Sequence, residues 1–381
     1  MVHVGIVAGE SSGDQLGGAL IVALRQQYPD IKITGMAGPK MLAAGCEAVA
    51  SIDELSVMGL VEVIRKYPEL RRLRERVTKF YLGRRPDVFV GIDVPDFVMG
   101  IESRLHRESI KTLHYVAPQI WAWRQSRAKK MKSQLDRLLV LYPFEESFFR
   151  GYGVETKFVG HPIADQIPLE RDLLGARQRL GLEPEIRYVA LMPGSRVQEW
   201  ERHVDVFLSA AKLVAANNQR IAFIAGAIGA DARDFMLRRA EIVSPDLDLV
   251  VSRQRSHDIL RASDVAMVAS GTVTMEGVFA KTPLVVAYKL APLSYAIMKK
   301  MVKVRYIAMP NVLAGREIVP EFLQKAVTAQ SLANATSAWL GDGGKIQEYE
   351  TRCTEMHRTL RQDAATQAAA EVLRLAGVSA V

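Results

Sequence analysis

The chain has 381 residues, of which 49% are hydrophobic and 24% charged. That length is enough for two or three domains with sizeable cores, and the composition argues against a disordered or repeat protein. Basic residues number 50 and acidic residues 42, and the formal net charge of +8 favours a nucleic acid, an anionic membrane or a phosphorylated substrate as partner. The only cysteines, Cys46 and Cys353, exclude a disulfide scaffold and a cysteine-rich zinc site and suit a reducing cytosol.

Neither a signal peptide nor a membrane span is predicted. The first residues, MVHVGIVAGE, enter an apolar β-like run without the basic region and cleavage site of a secretory signal. No apolar stretch reaches the ~18 residues that a transmembrane helix needs. We therefore expect a cytoplasmic protein whose contact with a membrane would be peripheral.

Short apolar runs alternate with helical patterns along the chain, which is typical of parallel sheets built from βαβ units. In the first part, strands are predicted at Val2–Ala8, Asp87–Asp93, Thr112–Val116 and Leu138–Leu141, with a helix at Asp14–Gln27. Phe158–Asp165 has the Gly-Pro content of a boundary. In the second part, strands are predicted at Tyr188–Met192, Ile221–Ala225, Leu249–Val251, Asp264–Ala269 and Pro283–Tyr288, with a helix at Glu199–Ala216.

The predicted fold class is α/β, with two Rossmann-like domains whose parallel sheets face a central cleft. Residues 1–165 form the first predicted domain and residues 166–344 the second. The tail, residues 345–381, has helical spacing and no strand, and we expect it to join the first domain. Exchange of this helix with a partner chain, which would give a homodimer, stays open.

The first predicted strand ends in a turn that contains two glycines, Gly9-Glu10-Ser11-Ser12-Gly13-Asp14. Backbone amides and the positive end of the following helix can meet an anionic ligand at such a turn. The dinucleotide fingerprint G-x-G-x-x-G is absent, which disfavours a nicotinamide cofactor. The alternative is a tight turn in which Ser or Asp caps the helix.

Asp93 ends the apolar run DVFVGID and is followed by Val94, Pro95 and Asp96. Active sites of parallel sheets collect at the carboxyl ends of the strands, so Asp93 is a candidate general base towards a hydroxyl group. The competing interpretation is a loop that Asp96 caps and Pro95 stiffens.

Two more glycine-bearing turns follow predicted strands in the second part. In Pro193-Gly194-Ser195-Arg196, glycine lets the protein backbone approach a ligand closely, and arginine offers a planar fork for phosphate oxygens. In Ser270-Gly271-Thr272, the backbone amides lie at the start of a predicted helix, where they could bind a phosphate. Glu276, one turn into that helix, could accept hydrogen bonds from ribose hydroxyls. Plain turns and helix caps remain alternatives for each, but three such turns favour a nucleotide held across a cleft.

The segment Met309–Glu321 mixes Asn311, Arg316, Glu317 and Glu321 with apolar residues and two prolines. Such a segment is either a rigid connection or a binding loop.

No metal site is predicted. Asp246 and Asp248 have Asp-x-Asp spacing but precede a strand instead of following one, and His161, His203 and His257 are scattered.

The positive charge is concentrated between Val61 and Arg85, where nine residues are basic and three acidic. Apolar residues at helical intervals accompany it, so this stretch could lie on an anionic membrane surface. The predicted membrane contacts are Leu60, Val61, Ile64, Arg65, Lys66, Leu70, Arg71, Arg72 and Leu73. The alternative is an ordinary helix that packs Leu70, Leu73 and Val77 on the sheet and leaves its arginines in water. A second basic cluster follows at Arg124, Arg127, Lys129, Lys130 and Lys132.

With these residues in view, the chain closely resembles the lipid-A-disaccharide synthase family of glycosyltransferases. The resemblance runs nearly end to end through VAGESSGD, GMAGPKM, DVFVGIDVPDF, HYVAPQIWAWR, FVGHPIAD, MPGSRVQE, ASGTVTMEG and MPNVLAGREIVPE. Gln119, in VAPQIWAWR, departs from the family pattern, which has a small hydroxyl residue there.

The resemblance implies a GT-B architecture and a place in bacterial lipid A biosynthesis. The implied reaction transfers diacylglucosamine, with inversion, from UDP-diacylglucosamine to the 6-hydroxyl of diacylglucosamine 1-phosphate (lipid X). UDP is released and a β-1,6-linked disaccharide is formed. It further implies a peripheral position on the cytoplasmic face of the inner membrane, with no nucleic acid partner and no metal cofactor.

The resemblance also assigns roles to residues of this chain. Asp93 would be the general base, and the first domain would hold the acceptor through Gly9, Glu10, Ser12 and Gly13. The second domain would bind the UDP-sugar through Gly194, Ser195, Arg196, Ser270, Gly271, Thr272, Glu276, Asn311, Arg316 and Glu317. Helix ends and arginine would stabilise the leaving diphosphate instead of a metal.

Two other functions remain open at this stage. One is another UDP-sugar enzyme of the same architecture, such as an epimerase or a peptidoglycan-precursor transferase. The other is a basic nucleic-acid-binding protein, although the chain lacks a recognisable nucleic-acid-binding motif.

Overall fold

The computed structural model describes residues 1–55, 60–218, 220–302 and 304–378. The side chains of residues 60–66, 293, 294, 296, 297 and 300 also lie outside this description. The chain divides into two compact units, the first made of Met1–Asp165 with Leu360–Val381 and the second of Gln166–Thr359. No helix in the described ranges has the length and apolar content required to cross a bilayer.

A parallel sheet forms the centre of the first unit. Its strands are β1 (His3–Ala8), β2 (Lys32–Ala37), β3 (Glu47–Ser51), β4 (Val88–Ile92), β5 (Lys111–Tyr115), β6 (Arg137–Val140) and β7 (Thr156–Phe158). Their order is β3-β2-β1-β4-β5-β6-β7. The helices that connect them are α1 (Ser11–Gln27), α2 (Pro39–Ala43), α3 (Leu60–Arg84), α4 (Pro95–Arg107), α5 (Ala128–Met131), α6 (Pro143–Arg150) and α7 (Pro162–Gln166). Short 3-10 turns lie at Ile52–Glu54, Gln119–Ala122 and Gln125–Arg127.

This sheet has a hydrophobic core on each face. Neighbouring residues of β1 point to opposite faces, so Ile6 joins the core under α1 and Val7 the core under α3 and α4. Helix α3 contributes Leu73, Val77 and Tyr81 to the second core, each at most 5% exposed. The sheet is therefore covered on both sides, as its continuous apolar strands predict.

The second unit is built around another parallel sheet. Its strands are β8 (Arg187–Met192), β9 (Ile221–Gly226), β10 (Leu249–Ser252), β11 (Val265–Ala269), β12 (Leu284–Tyr288) and β13 (Glu321–Leu323). Their order is β10-β9-β8-β11-β12-β13. Its helices are α8 (Leu173–Leu180), α9 (Val197–Ala216), α10 (Ala230–Val243), α11 (Ser256–Ala262), α12 (Val273–Ala280), α13 (Pro292–Met301), α14 (Met309–Ala314), α15 (Ala329–Leu340) and α16 (Gly343–Leu360). A 3-10 turn lies at Gln324–Ala326.

The C-terminal helix α17 (Ala364–Leu375) belongs to the first unit. The chain turns at Asp363, where φ is +56°, and the amides of Asp363 and Ala364 donate to the carboxylate of Asp165 at 2.9 and 2.7 Å. Ala368 and Val372 then complete the core under α1. The expectation that all of residues 345–381 join the first domain needs correction, since α16 stays with the second unit as far as Thr359.

Periodicity locates the nine predicted strands to within one or two residues but misses β2, β3, β7 and β13. Strands β7 and β13 have three residues each, too few to show an alternation. Strand β2 contains Gly35, and β3 lies at a sheet edge with two exposed residues, so neither has the dense apolar run of a central strand.

Candidate active site

In the first unit, the turns that follow β1 and β4 lie side by side. The two strands are paired in parallel, with Ala8 opposite Ile92. A Cβ atom on Gly9 would lie 2.6 Å from side-chain atoms of both Val94 and Leu55. Only glycine therefore fits, and the turn after β1 packs directly against the turn that contains Asp93.

Asp93 lies at the carboxyl end of β4 in a strained turn. Its φ is +53° and that of the next residue, Val94, is +42°, a left-handed conformation that costs a β-branched residue about 1–3 kcal/mol. The N–H of Asp93 donates to the carbonyl of Tyr115 at 3.0 Å, and one carboxylate oxygen accepts the N–H of Val94 at 2.8 Å. Backbone hydrogen bonds thus hold both the main chain and the half-buried carboxylate of Asp93 in place, as a proton acceptor requires.

The residues predicted to contact an acceptor divide into two groups. Glu10 and Ser12 are exposed, whereas Gly9 and Gly13 are buried in the packing of the turn. Close packing explains the glycine at position 9, and the predicted acceptor contacts of both glycines stay predictions. Asp14 does not cap its own helix, since its buried carboxylate accepts the amides of Gly38, Lys40 and Met41 at 2.8–3.0 Å.

The segment after β5 lies close to the start of α4. Arg127 pairs with Asp96 at 3.2 Å, three residues beyond Asp93, and the Arg124 guanidinium lies 4.2 Å from the ring centre of Trp123. Gln119, which departs from the family pattern, is exposed. Below it, the indole of Trp121 donates to Glu145 at 3.1 Å, and burial raises the pKa of Glu145 to about 7.

In the second unit, the turn after β8 already holds an anion from its own chain. Gly194 has a φ of +124°, and the amides of Ser195 and Arg196 donate to one carboxylate oxygen of Glu199 at 2.9 and 3.2 Å. The Arg196 side chain is 74% exposed and lies 3.5 Å from the other oxygen of Glu199. Two amides at the start of α9 and an exposed guanidinium together form an arrangement suited to phosphate oxygens.

The turn after β11 lies at the same edge of the sheet, because β11 pairs with β8 in parallel. Gly271 and Thr272 are exposed there, and the N–H of Ser270 donates to the carbonyl of Ala287 at 3.0 Å. Glu276 is half-buried, accepts the hydroxyl of Ser256, and has its pKa raised by burial. The structure thus brings together two turns that are about 75 residues apart in sequence, as predicted from the carboxyl-end rule.

His203 holds this edge in place, although the sequence shows it only as an isolated histidine. Its Nδ1 donates to the carbonyl of Glu199 at 2.7 Å, and its Nε2 accepts the N–H of Lys289 at 3.0 Å. Burial lowers the pKa of His203, so the neutral ring can make both bonds. The imidazole therefore ties the start of α9 to the end of β12.

Asn311 does not present its side chain to a ligand. The residue is 0% exposed, and its amide donates to the Val319 carbonyl and to Glu321 and accepts the N–H groups of Ile318 and Val319. All four hydrogen-bonding positions of the amide are therefore used within the segment. The prediction that Asn311 binds UDP is corrected, because the side chain builds the loop.

Arg316 and Glu317 are exposed residues of the loop between α14 and β13. They precede β13, which pairs in parallel with β12. Arg316 also interacts electrostatically with Glu348 of α16, whose pKa is lowered chiefly by a hydrogen bond from Arg352. The predicted contacts of Arg316 and Glu317 with the UDP-sugar stay predictions.

We expect Asn311→Ala to lower the free energy of unfolding by about 2–5 kcal/mol, because it leaves buried amides, a carbonyl and a carboxylate without partners. Urea denaturation measures this. Arg316→Ala, an exposed change in the same segment, should leave stability within about 0.5 kcal/mol. Unchanged stability together with weakened UDP binding in Asn311→Ala would contradict the structural role.

Comparison with known proteins decides the family. The model of the family described as lipid-A-disaccharide synthetase matches residues 4–374. The chain belongs to this family.

Relatives and a solved structure agree with this assignment. The lipid-A-disaccharide synthase of Pseudomonas paraeruginosa is 44% identical over 374 residues, covering 98% of each chain. That of Methylobacillus flagellatus is 42% identical over 375 residues, covering 98% of this chain and 99% of its own. The calicheamicin glycosyltransferase CalG4 superposes with a TM-score of 0.64 at 14% identity, covering 99% of this chain and 98% of its own. The fold is that of GT-B glycosyltransferases, and the protein is an enzyme of the glycosyltransferase class.

The basic stretch of this family member divides along helix α3. The predicted membrane contacts Leu60, Val61, Ile64, Arg65 and Lys66 lie outside the described side chains. Farther along, Arg71 and Arg72 are exposed and Leu70 is half-buried. Leu73 is 5% exposed and packs in the core, so the prediction that it contacts a membrane is wrong. Here the alternative of an ordinary packed helix holds from Leu73 onwards.

Within the described residues there is no group of three or more His, Cys, Asp or Glu side chains placed to hold a metal ion. His161, the histidine of the GHPIAD motif, is 5% exposed, and burial lowers its pKa to about 4.

Proposed function

We propose that this enzyme transfers diacylglucosamine from UDP-diacylglucosamine to the 6-hydroxyl of diacylglucosamine 1-phosphate, with inversion at the transferred sugar. The observation that carries the proposal is the strained turn at Asp93, which holds a carboxylate at the carboxyl end of β4 in a chain of this family. Strain of this kind persists where the surrounding structure imposes it, and it is concentrated at functional sites.

In the proposed reaction, Asp93 accepts the proton of the 6-hydroxyl as its oxygen forms a bond to the anomeric carbon. The bond from the anomeric carbon to the diphosphate breaks at the same time, so attack on the opposite face inverts the configuration. Glu10 and Ser12, exposed beside the Asp93 turn, are the proposed acceptor contacts.

Stabilisation of the leaving UDP is assigned to Arg196, with the amides of Ser195, Gly271 and Thr272 at the turns. The support is at the turn after β8, where the carboxylate of Glu199 already receives the amides of Ser195 and Arg196. Donors fixed at the point where negative charge develops stabilise the transition state without reorganisation. Glu276, half-buried beside Gly271 and Thr272, is the proposed acceptor of ribose hydroxyls. No metal takes part in this proposal.

Incubation with UDP-diacylglucosamine and diacylglucosamine 1-phosphate in the presence of EDTA tests the proposal. We expect equimolar release of UDP and formation of the β-linked disaccharide. UDP-N-acetylglucosamine without acyl chains serves as the matched control donor and should react far more slowly. Epimerisation of that control donor, or a requirement for added metal, would contradict the proposal.

We further propose that the enzyme binds the cytoplasmic face of the inner membrane through the first turns of α3. The support is the surface of Tyr67, Arg71 and Arg72, an exposed aromatic ring (57%) beside exposed arginines. Phosphorylated lipid substrates give the basic stretch a membrane partner in preference to a nucleic acid.

The triple variant Leu60→Ser, Ile64→Ser and Leu70→Ser is expected to sediment several-fold less with anionic liposomes, because apolar burial in the interface is lost. Co-sedimentation measures this, and salt should weaken the binding of the unmodified enzyme. Ile228→Ser with Ile242→Ser, which changes side chains that are each 69% exposed in the second unit, is the matched control and should bind as before. A folded triple variant that sediments like the unmodified enzyme would refute this membrane contact. Leu73 stays unchanged because serine there would disrupt the core.

We also propose that the enzyme forms a homodimer through its C-terminal helix. Helix α17 packs on α1 within the chain through Ala368 and Val372. Exchange of α17 between two chains would rebuild the same contact between them.

A further inference from the structure

A buried ion pair lies behind the Asp93 turn. His114 on β5 and Glu102 on α4 are both 0% exposed, and the histidine Nδ1 lies 2.8 Å from a carboxylate oxygen of Glu102. Removal of two charges from water is costly, and apolar residues of the same volume often stabilise a core better. Stability alone therefore does not account for this pair.

Strand β4 is adapted to the pair at Gly91. Gly91 lies opposite His114 in the register of β4 and β5. A Cβ atom at this position would lie 2.2 Å from the carboxylate oxygen of Glu102 and 2.1 Å from Val98. Glycine weakens the interior of a strand, and here it makes the space that the carboxylate occupies.

The pair is connected to Asp93 through three neighbouring segments. Gly91 precedes Asp93 by two residues on β4, and Tyr115, next to His114, accepts the N–H of Asp93 at 3.0 Å. Helix α4, which carries Glu102, starts at Pro95, directly after the strained turn. The hydrogen bond between Glu102 and His114 thus links α4 to β5 beside Gly91 of β4, on both flanks of the strained turn.

The pair also sets the charge behind the turn. Burial is the largest single influence and lowers the pKa of His114, but the charge and hydrogen bond of Glu102, the charge of Asp93 and a backbone hydrogen bond at Val116 together raise this pKa above its ordinary value. The charged groups that face the imidazole are Glu102 from α4 and Asp93 from the end of β4, while its register partner on β6 is the apolar Leu138. The raised pKa favours the imidazolium form of His114, whose charge would act on the Asp93 carboxylate.

We propose that Glu102 and His114 are positioning residues, which hold the Asp93 turn and its electrostatic surroundings in the arrangement that accepts the acceptor proton. This inference rests on the proposed role of Asp93 as general base. It adds to that role two residues that do not touch either substrate.

The test compares Glu102→Gln and His114→Gln with the unmodified enzyme. We expect kcat to fall about 10²-fold in each, because a small displacement of a reacting group is enough for such a loss, with both KM values within about threefold. His114→Gln should move the acid limb of the kcat–pH profile to higher pH, since a cation behind a carboxylate favours its ionised form. Glu102→Gln should shift the acid limb less, because loss of the Glu102 charge lowers the pKa of His114 and removes the positive and negative charges of the pair together.

A purely structural role gives a different result. The folded fraction of each variant would then keep the kcat and pH profile of the unmodified enzyme, with only the melting temperature lowered, and that outcome overturns the proposal. Glu102→Asp keeps the charge and serves as the milder variant if the others fold poorly. It should retain more kcat than Glu102→Gln, and a smaller kcat than that of Glu102→Gln would count against the proposal.

A second measurement needs no change in the buried pair. Nuclear magnetic resonance of ¹⁵N-histidine follows His114 in the intact enzyme and in Asp93→Asn. Because Asp93 helps to raise the pKa of His114, this pKa should fall in the variant, and an unchanged titration contradicts the coupling. Turnover separates the two hypotheses. An active Asp93→Asn sinks the general-base assignment, whereas an inactive Asp93→Asn beside fully active Glu102 and His114 variants sinks only the positioning role.

Discussion

Asp93→Asn is expected to lower kcat by about 10²–10⁴-fold while UDP affinity stays within about twofold. The amide has the size of the carboxylate but cannot accept the hydroxyl proton. Its oxygen can still receive the N–H of Val94, which lies 2.8 Å from the carboxylate, so the strained turn should survive. Asp93 belongs to the first unit, whereas the proposed UDP contacts lie in the second, so loss of turnover and loss of nucleotide binding should separate.

Steady-state UDP release and calorimetric UDP binding measure the two quantities. Asp96→Asn is the matched control, because its carboxylate is 85% exposed and forms a surface ion pair with the exposed Arg127. This control should keep nearly full kcat. A parallel loss of UDP binding in Asp93→Asn, or an equal loss of kcat in Asp96→Asn, would refute the assignment.

Arg196→Ala is expected to weaken UDP binding by about 10–100-fold. A hydrogen bond to a charged group contributes roughly 1.5–3 kcal/mol, and each 1.4 kcal/mol is a factor of ten in affinity. Stability should change little, since the side chain is 74% exposed and its ion pair with Glu199 is long at 3.5 Å. Melting temperature and UDP affinity should therefore respond differently.

Arg187→Ala is the control for this prediction, because Arg187 lies at the opposite end of β8 from Arg196. It is exposed at the first residue of the strand and donates to the carbonyl of Leu340 at 3.0 Å. UDP binding should be unaffected there. Equal UDP affinity in Arg196→Ala and the unmodified enzyme would remove Arg196 from the proposed site.

Much of the fold follows from local pattern. Apolar runs of five or six residues predict the central strands, and the glycines after three of them predict the turns at Gly9, Gly194 and Gly271. These features depend on neighbours in sequence, so they are legible without the fold. Asp93 is found in the same way, because a carboxylate at the end of an apolar run is a local signal.

Residues of similar sequence appearance have different roles in the structure. Asn311 and Arg196 are both polar residues in motifs that resemble the family, yet the Asn311 amide is saturated by partners seven to ten residues away, whereas the Arg196 side chain is 74% exposed. Leu70 and Leu73 share an amphipathic helix, but only Leu73 is in the core. The periodicity of a helix indicates that one face is apolar and does not indicate what covers that face.

The sequence by itself determined the α/β class, the two-part chain, the glycine turns and the family, because these depend on composition, short-range pattern and motif order. Only the tertiary structure decided which of the named residues are buried and which are exposed. It also revealed the pair of Glu102 and His114, whose partners are 12 residues apart and meet across β4. The physical reason is that burial and hydrogen bonding are set by contacts between distant segments, and those contacts form only when the strands take their order in the sheet.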